Sequence, residues 1–181
     1  MNLPNILTLS RIVMIPVFVL VYYLPVGWSG IACGVVFSAA AATDWLDGYL
    51  ARRLNQSTPF GAFLDPVADK LMVAMSLTVL VEHHGAWWMT IPALVIIGRE
   101  IVISALREWM AERGKSAEVA VSYVGKVKTF AQMWAIVFLL FGSQVDWSFW
   151  LGLTLLYLAA GLTIYSMYQY LTASWSTLFV E

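Results

Sequence analysis

The sequence predicts an all-α integral membrane protein, a bundle of six transmembrane helices with a short N-terminal interfacial segment. Three observations predict it. Of 181 residues, 61% are hydrophobic and only 12% charged, about half the roughly 25% charge of a soluble domain. The apolar residues run the whole length of the chain and are not gathered in one stretch. Breaks rich in Gly, Pro, Asn and Ser divide them into lengths that cross a bilayer.

The elements follow in order. Asn2 to Ser10 reads as an amphipathic lead-in at the interface, and the first span covers Asn5 to Leu24. Ile12 to Leu24 has the look of a signal-peptide core. Arg11 is its only preceding basic residue, however, and no small-x-small cleavage site follows, so the span is read as retained. Pro25-Val26-Gly27 ends it, and the second span runs from Trp28 to Leu54. After Asn55-Gln56-Ser57-Thr58 the third runs from Pro59 to Val81, ending before His83-His84-Gly85. The fourth covers Trp87 to Met110, before Arg113-Gly114-Lys115-Ser116; the fifth covers Tyr123 to Phe141, before Gly142-Ser143-Gln144; the sixth covers Trp147 to Tyr170. Each is about 19 to 27 residues long, enough for a ~30 Å hydrocarbon core at 1.5 Å per residue. Trp28, Trp87, Trp88, Trp147 and Trp150 stand at span ends, where indole favours the headgroup region. Gly152 and Gly161 read as helix-packing positions. No linker or repeat divides residues 1–181, which read as a single domain.

Charge narrows the function. A net charge of −1 leaves no basic footprint for nucleic acid. Cys33 is the only cysteine, so no intrachain disulfide can form. Arg52, Arg53, Arg113 and Lys115 fall in or beside the even-numbered connections, and Arg11 lies near the N-terminus. The odd connections hold His83, His84 and Asp146 but no Lys or Arg. The positive-inside rule then places both termini and the even loops in the cytoplasm.

The chemistry lies in charges that a membrane helix ordinarily excludes. Asp44 and Asp47 stand near the end of the second span, Asp65 and Asp69 near the start of the third. A carboxylate at the bilayer centre costs about 2.5–3.5 kcal/mol, less toward the interface. Two bound divalent cations would offset that cost and the mutual repulsion. At 100° per residue Asp44, Asp47, Gly48, Ala51 and Arg52 share one stripe, while Gly61, Asp65 and Asp69 are successive i+4 neighbours. A short loop makes the two helices antiparallel, so the stripes lie at one depth, at the cytoplasmic end. Oxygen-only ligands select Mg²⁺ or Mn²⁺ over zinc. Two such ions form the clamp used for in-line displacement at phosphorus, and Arg52 suits a phosphate. Pro66 removes one backbone donor beside the acids and predicts a local kink.

The pattern Asp44-x₂-Asp47-Gly48-x₂-Ala51-Arg52-x₈-Gly61-x₃-Asp65-x₃-Asp69 resembles the CDP-alcohol phosphatidyltransferase family at every fixed position. A chance match at eight positions is on the order of 10⁻¹⁰ per starting point. The six spans and the lead-in also look like that family, so the resemblance covers nearly the whole chain. It implies that Asp44, Asp47, Asp65 and Asp69 hold two metal ions, with Asp69 also the general base. It implies that Gly48 and Arg52 meet the cytidine diphosphate group and that Gly61 makes room for it. Pro4-Asn5-x-Leu7-Thr8-x₂-Arg11 is similar to a segment lying near the nucleotide in relatives, which adds Asn5, Thr8 and Arg11 to the donor side. A homodimer through transmembrane helices is a further implication.

Within the family, Asn55 to Thr58, Phe63 to Lys70, Arg99-Glu100, Ser104 to Trp109 and Gly125 to Thr129 resemble the bacterial branch. Those enzymes join glycerol 3-phosphate to the phosphatidyl group of CDP-diacylglycerol and release CMP. The resemblance therefore implies membrane lipid substrates, a bacterial inner-membrane location and an active site facing the cytoplasm. Inositol phosphate or a second phospholipid as acceptor would use the same metal chemistry. Glycerol 3-phosphate is a small dianion, so its pocket needs further cations. Arg99, Ile103 and Arg107 form one stripe on the fourth span; Gly125, Lys128, Thr129 and Gln132 share a face of the fifth, with Lys126 about 100° to one side. Arg99, Arg107, Lys126, Lys128 and Thr129 are the expected acceptor-phosphate residues, and Glu100 is the expected structural partner of Arg99. Arg113 and Lys115 read as snorkelling charges. A cation transporter is the competing class, but transporters place their charges near the bilayer midplane. Here the acids gather at one end beside an arginine suited to phosphate.

Overall fold

The computed structural model describes residues 3–54, 58–114, 123–142 and 146–175. They form six α-helices: α1 Leu3–Tyr22, α2 Ser29–Leu54, α3 Pro59–His84, α4 Trp87–Glu112, α5 Tyr123–Phe141 and α6 Asp146–Ala173. No described residue is in a strand. Four helices are long and apolar enough to cross a membrane, over Asn5–Tyr22, Ser29–Leu46, Trp87–Glu112 and Asp146–Ala173. The other two carry charged residues along their length. α3 holds Asp65, Asp69, Lys70 and Glu82, and the apolar part of α5 is Val127–Phe141.

Local chemistry sets the helix ends. Thr58, with extended backbone, caps α3 by accepting the Gly61 amide through its hydroxyl, and Pro59 opens the first turn. Gly85 closes α3 in the left-handed region at φ 56°, and its amide donates to the Val81 carbonyl. α3 continues through Pro66, so the proline beside the acids does not end the helix.

Two groups of four helices share the pair α3–α5. One closes through α1, α2, α5 and α3, the other through α3, α5, α6 and α4. α5 and α6 pack most extensively. Gly152 permits this, since a Cβ there would lie 2.9 Å from the Leu139 amide nitrogen. At Gly161, by contrast, nothing among the described residues of this chain lies within 4 Å of the notional Cβ. α2 and α3 touch only slightly, because α1 lies against both. α1 thus bridges the acidic ends of α2 and α3.

From Leu3 onward the lead-in is continuous with α1, and its Asn5 and Thr8 are buried. Asn5, Thr8, Arg11, Ile15 and Phe18 are all buried at i+3 and i+4 spacing, polar at the start and apolar beyond. α5 repeats this plan, with Lys128 and Gln132 before Ala135, Ile136 and Leu139. The apolar ends join one core that includes Phe18, Phe37, Leu77, Ile96, Ile136 and Leu156. The outer surface is rich in apolar groups, including Trp28, Trp87, Trp147 and Trp150. Trp88 instead packs inside, with ring centroids 5.4 Å from His84 and 5.8 Å from Phe149.

Candidate active site

The polar ends of α1 and α5 meet the charged segments of α2, α3 and α4 at one end of the bundle. α1 contributes Arg11, whose side chain is 2% exposed. Its Nη1 donates to Asp44 Oδ1 of α2 at 2.7 Å and also to Asp69 of α3. Its Nη2 donates to Asp65 Oδ1 at 3.0 Å. Thr8, one turn earlier, donates to the same Asp65 oxygen at 2.6 Å. Three carboxylates from two helices thus converge on one guanidinium carried by a third.

Asn5 and Gly61 complete the junction of α1 with α3. Thr58 Oγ1 donates to Asn5 Oδ1 at 2.8 Å and accepts the Gly61 amide at 3.0 Å. A Cβ at Gly61 would lie 2.8 Å from Asn5 Oδ1. The group that needs the space at Gly61 in this structure is therefore Asn5. Gly48 is half-buried on α2. The side chains of Asp47, Arg52 and Lys126 lie outside the described residues.

The acids form a suitable donor set for a hard cation. Among the described residues, no group of three or more His, Cys, Asp or Glu side chains is arranged to hold a metal ion. Arg11 sits between the carboxylates instead. Among the described residues, one positive and three negative groups give this ion-pair cluster a formal charge of −2, with the carboxylates 41–48% exposed. All the ligands are oxygen, as Mg²⁺ or Mn²⁺ requires. By donor chemistry and charge, Asp44, Asp65 and Asp69 fit a divalent cation.

Around the aspartates lie three spaces that share lining residues. A small cavity of about 80 Å³ takes in Arg11, Asp44, Asp69 and Thr129. It shares Asp69, Val73 and Thr129 with a cavity of about 290 Å³ that also reaches Asp65, Lys70, Glu100, Lys128 and Gln132. On the other side, Asp44 and Thr129 border an apolar cleft of about 740 Å³ between α2 and α5, walled by Trp45, Phe130, Met133 and Trp134.

The five residues expected at the acceptor phosphate are not all together. Lys128 and Thr129 line the 290 Å³ cavity with Asp65 and Asp69. Lys128 is 2% exposed and donates to Glu100 Oε1. Arg99 shares that oxygen at 3.3 Å, but its Nη2 donates to Ser166 Oγ of α6 at 3.0 Å. The Tyr170 ring has two guanidinium groups near it, with Arg99 Cζ 5.4 Å and Arg107 Cζ 5.5 Å from its centroid. Arg99 and Arg107 thus turn toward α6, away from the aspartates. Glu100 is the partner of Arg99, as its position suggests, and it holds Lys128 too. Ser166 and Tyr170 were not anticipated. Their trace in the sequence is a polar stripe, Thr163, Ser166 and Tyr170, on a mostly apolar helix.

Comparison with known proteins places the chain among relatives. The CDP-alcohol phosphatidyltransferase family matches residues 1–165. A CDP-diacylglycerol–glycerol-3-phosphate 3-phosphatidyltransferase of Shigella flexneri serotype 5b is 57% identical over 173 residues, 96% of this chain and 94% of the relative. Proteins of the same description from Shigella boydii serotype 4 and Escherichia coli K12 are equally similar over the same share of each chain.

Proposed function

Since this chain belongs to the CDP-alcohol phosphatidyltransferase family, we propose that it transfers the phosphatidyl group of CDP-diacylglycerol to glycerol 3-phosphate. The products are phosphatidylglycerophosphate and CMP. The observation that carries this reading is the cavity shared by Asp65, Asp69, Lys128 and Thr129. It joins acids suited to a metal-assisted displacement to a buried cation suited to the phosphate of glycerol 3-phosphate, the acceptor that the relatives' description names.

The chain's residues divide the work. The acceptor phosphate docks at Lys128 and Thr129, with Arg99 reaching it through Glu100 and with Arg107 and Lys126 at the margin. The acceptor's primary hydroxyl then faces Asp69. Its oxygen forms a bond to the lipid-bearing phosphorus, its proton passes to Asp69, and the bond from that phosphorus to CMP breaks. CMP leaves with the bonding electron pair. Asp44, Asp47, Asp65 and Asp69 would hold two Mg²⁺ or Mn²⁺ ions, which when bound supply charge neutralisation and a more acidic hydroxyl. Thr8 and Arg11 hold the aspartates in position and Asn5 braces the start of α3, beside Gly48, Arg52 and Gly61 on the donor side. The apolar cleft between α2 and α5 takes the donor's acyl chains, and its opening at Asp44 brings the diphosphate to the acids.

We place the protein in the bacterial inner membrane as a homodimer, with six spans, both termini in the cytoplasm and the site on that face. α3 and α5 complete the six spans, with Lys128 buried and Asp65 and Asp69 gathered on Arg11, which lowers the cost of charge within a span. Purified protein with Mg²⁺ or Mn²⁺ and CDP-diacylglycerol should release CMP when glycerol 3-phosphate is added, and not with inositol phosphate or phosphatidylglycerol. Release with either of those but not with glycerol 3-phosphate would move the chain to another branch of the family.

A further inference from the structure

We propose that Gln132 reads the free hydroxyl of the acceptor and so sets which phosphorylated alcohol the site accepts. The inference rests on the reaction proposed above. Gln132 follows Lys128 by one turn of α5, and both are buried, at 3% and 2% exposure. Both line the cavity that takes in Asp65 and Asp69.

The two side chains have opposite needs. The Lys128 ammonium only donates hydrogen bonds, and Glu100 satisfies it within the protein. A phosphate can take over that role. Gln132 Oε1 only accepts, and it is buried without a hydrogen-bond partner among the described residues. Such an oxygen is uncommon in a folded interior and marks a place where a donor is missing. A phosphate dianion has no proton to offer, so the missing donor is the other polar group of the ligand, a hydroxyl.

Spacing supports the pairing. Residues four apart on a helix are separated by about 6 Å along its axis, close to the length of a three-carbon phosphate. With the phosphate at Lys128, the carbon chain lies along α5. Its primary hydroxyl faces Asp69 and its secondary hydroxyl faces Gln132. The amide lies at the cavity wall, and rotation about its soft terminal torsion turns Oε1 toward the ligand.

The test compares glycerol 3-phosphate with 3-hydroxypropyl phosphate, which lacks only the secondary hydroxyl. With wild-type protein and CDP-diacylglycerol, kcat/KM should favour glycerol 3-phosphate by about ten- to a hundredfold. Gln132→Met, similar in length but without the polar oxygen, should bring the ratio to within about threefold of one. Gln132→Glu keeps an acceptor oxygen and should preserve the preference even if both rates fall. The KM for CDP-diacylglycerol reports whether each variant is folded. An equal loss with both acceptors in Gln132→Met, or no preference in the wild type, overturns the assignment. If the wild type releases no CMP with either acceptor, the reading of the reaction fails first and this inference fails with it.

Discussion

Arg11 on α1 and Asp44 on α2 are joined by a 2.7 Å ion pair across 33 positions of sequence, and the same guanidinium binds Asp65 and Asp69 of α3. One side chain thereby fixes the relative placement of three helices at the site. Arg11→Gln should leave three carboxylates facing one another. A fully buried pair broken on one side costs about 3–5 kcal/mol. These carboxylates are half-exposed, so about 1–3 kcal/mol is expected. Thermal unfolding in detergent should show the loss in chelator, and millimolar Mg²⁺ should recover part of it. A loss that Mg²⁺ leaves unchanged would count against a cation at these acids.

Asp69 is read as the proton acceptor. Asp69→Asn is nearly isosteric and should abolish CMP release while the protein still inserts and folds. Turnover above a tenth of wild type would mean that the base is elsewhere. Asp44→Asn should instead weaken metal dependence, so that raising Mg²⁺ restores part of the rate.

Lys128 and Arg99 should separate, although both donate to Glu100 Oε1. Lys128 faces the cavity of the aspartates, whereas Arg99 is committed to Ser166 and Tyr170 of α6. Lys128→Gln should raise the KM for glycerol 3-phosphate about ten- to a hundredfold, the scale of one charge-assisted hydrogen bond. Arg99→Gln should raise it less and lower the melting temperature more. Steady-state kinetics beside unfolding curves decide this, and the reverse order would place Arg99 on the phosphate directly.

Gly61→Ala should force the start of α3 away from α1, since its Cβ would meet Asn5 Oδ1 at 2.8 Å. Overpacking of this kind costs about 1–3 kcal/mol. The double variant with Asn5→Ala should lose less stability than the two single changes combined. Strict additivity would show that Gly61 serves something other than Asn5.

Orientation has a direct chemical test. A thiol at His83, an exposed position beside the α3–α4 turn, should react with impermeant reagents from outside intact cells. Cys33 is fully buried and should add no background. Labelling only after permeabilisation would invert the topology and move the site to the other face.

How much of this was legible in the sequence depends on whether the determining physics is local. All six helices lie close to the stretches read from apolar length and turn residues, because the span length and the caps at Thr58 and Gly85 are properties of neighbouring residues. The periodicity of Asp65 with Asp69, and of Lys128 with Gln132, likewise follows from the 100° step of a helix. Three relationships were not accessible that way. Arg11 meets Asp44, Asp65 and Asp69 because α1 lies against both α2 and α3, and no periodicity states which helix is whose neighbour. Gly61 faces Asn5, and Arg99 turns to Ser166 and Tyr170, through the rotation of packed helices about their own axes. The sequence by itself determined the helices, the stripe each presents and the chemistry that stripe carries. The tertiary structure decided which stripes face each other, because helix order and rotation are settled by burying the whole core at once.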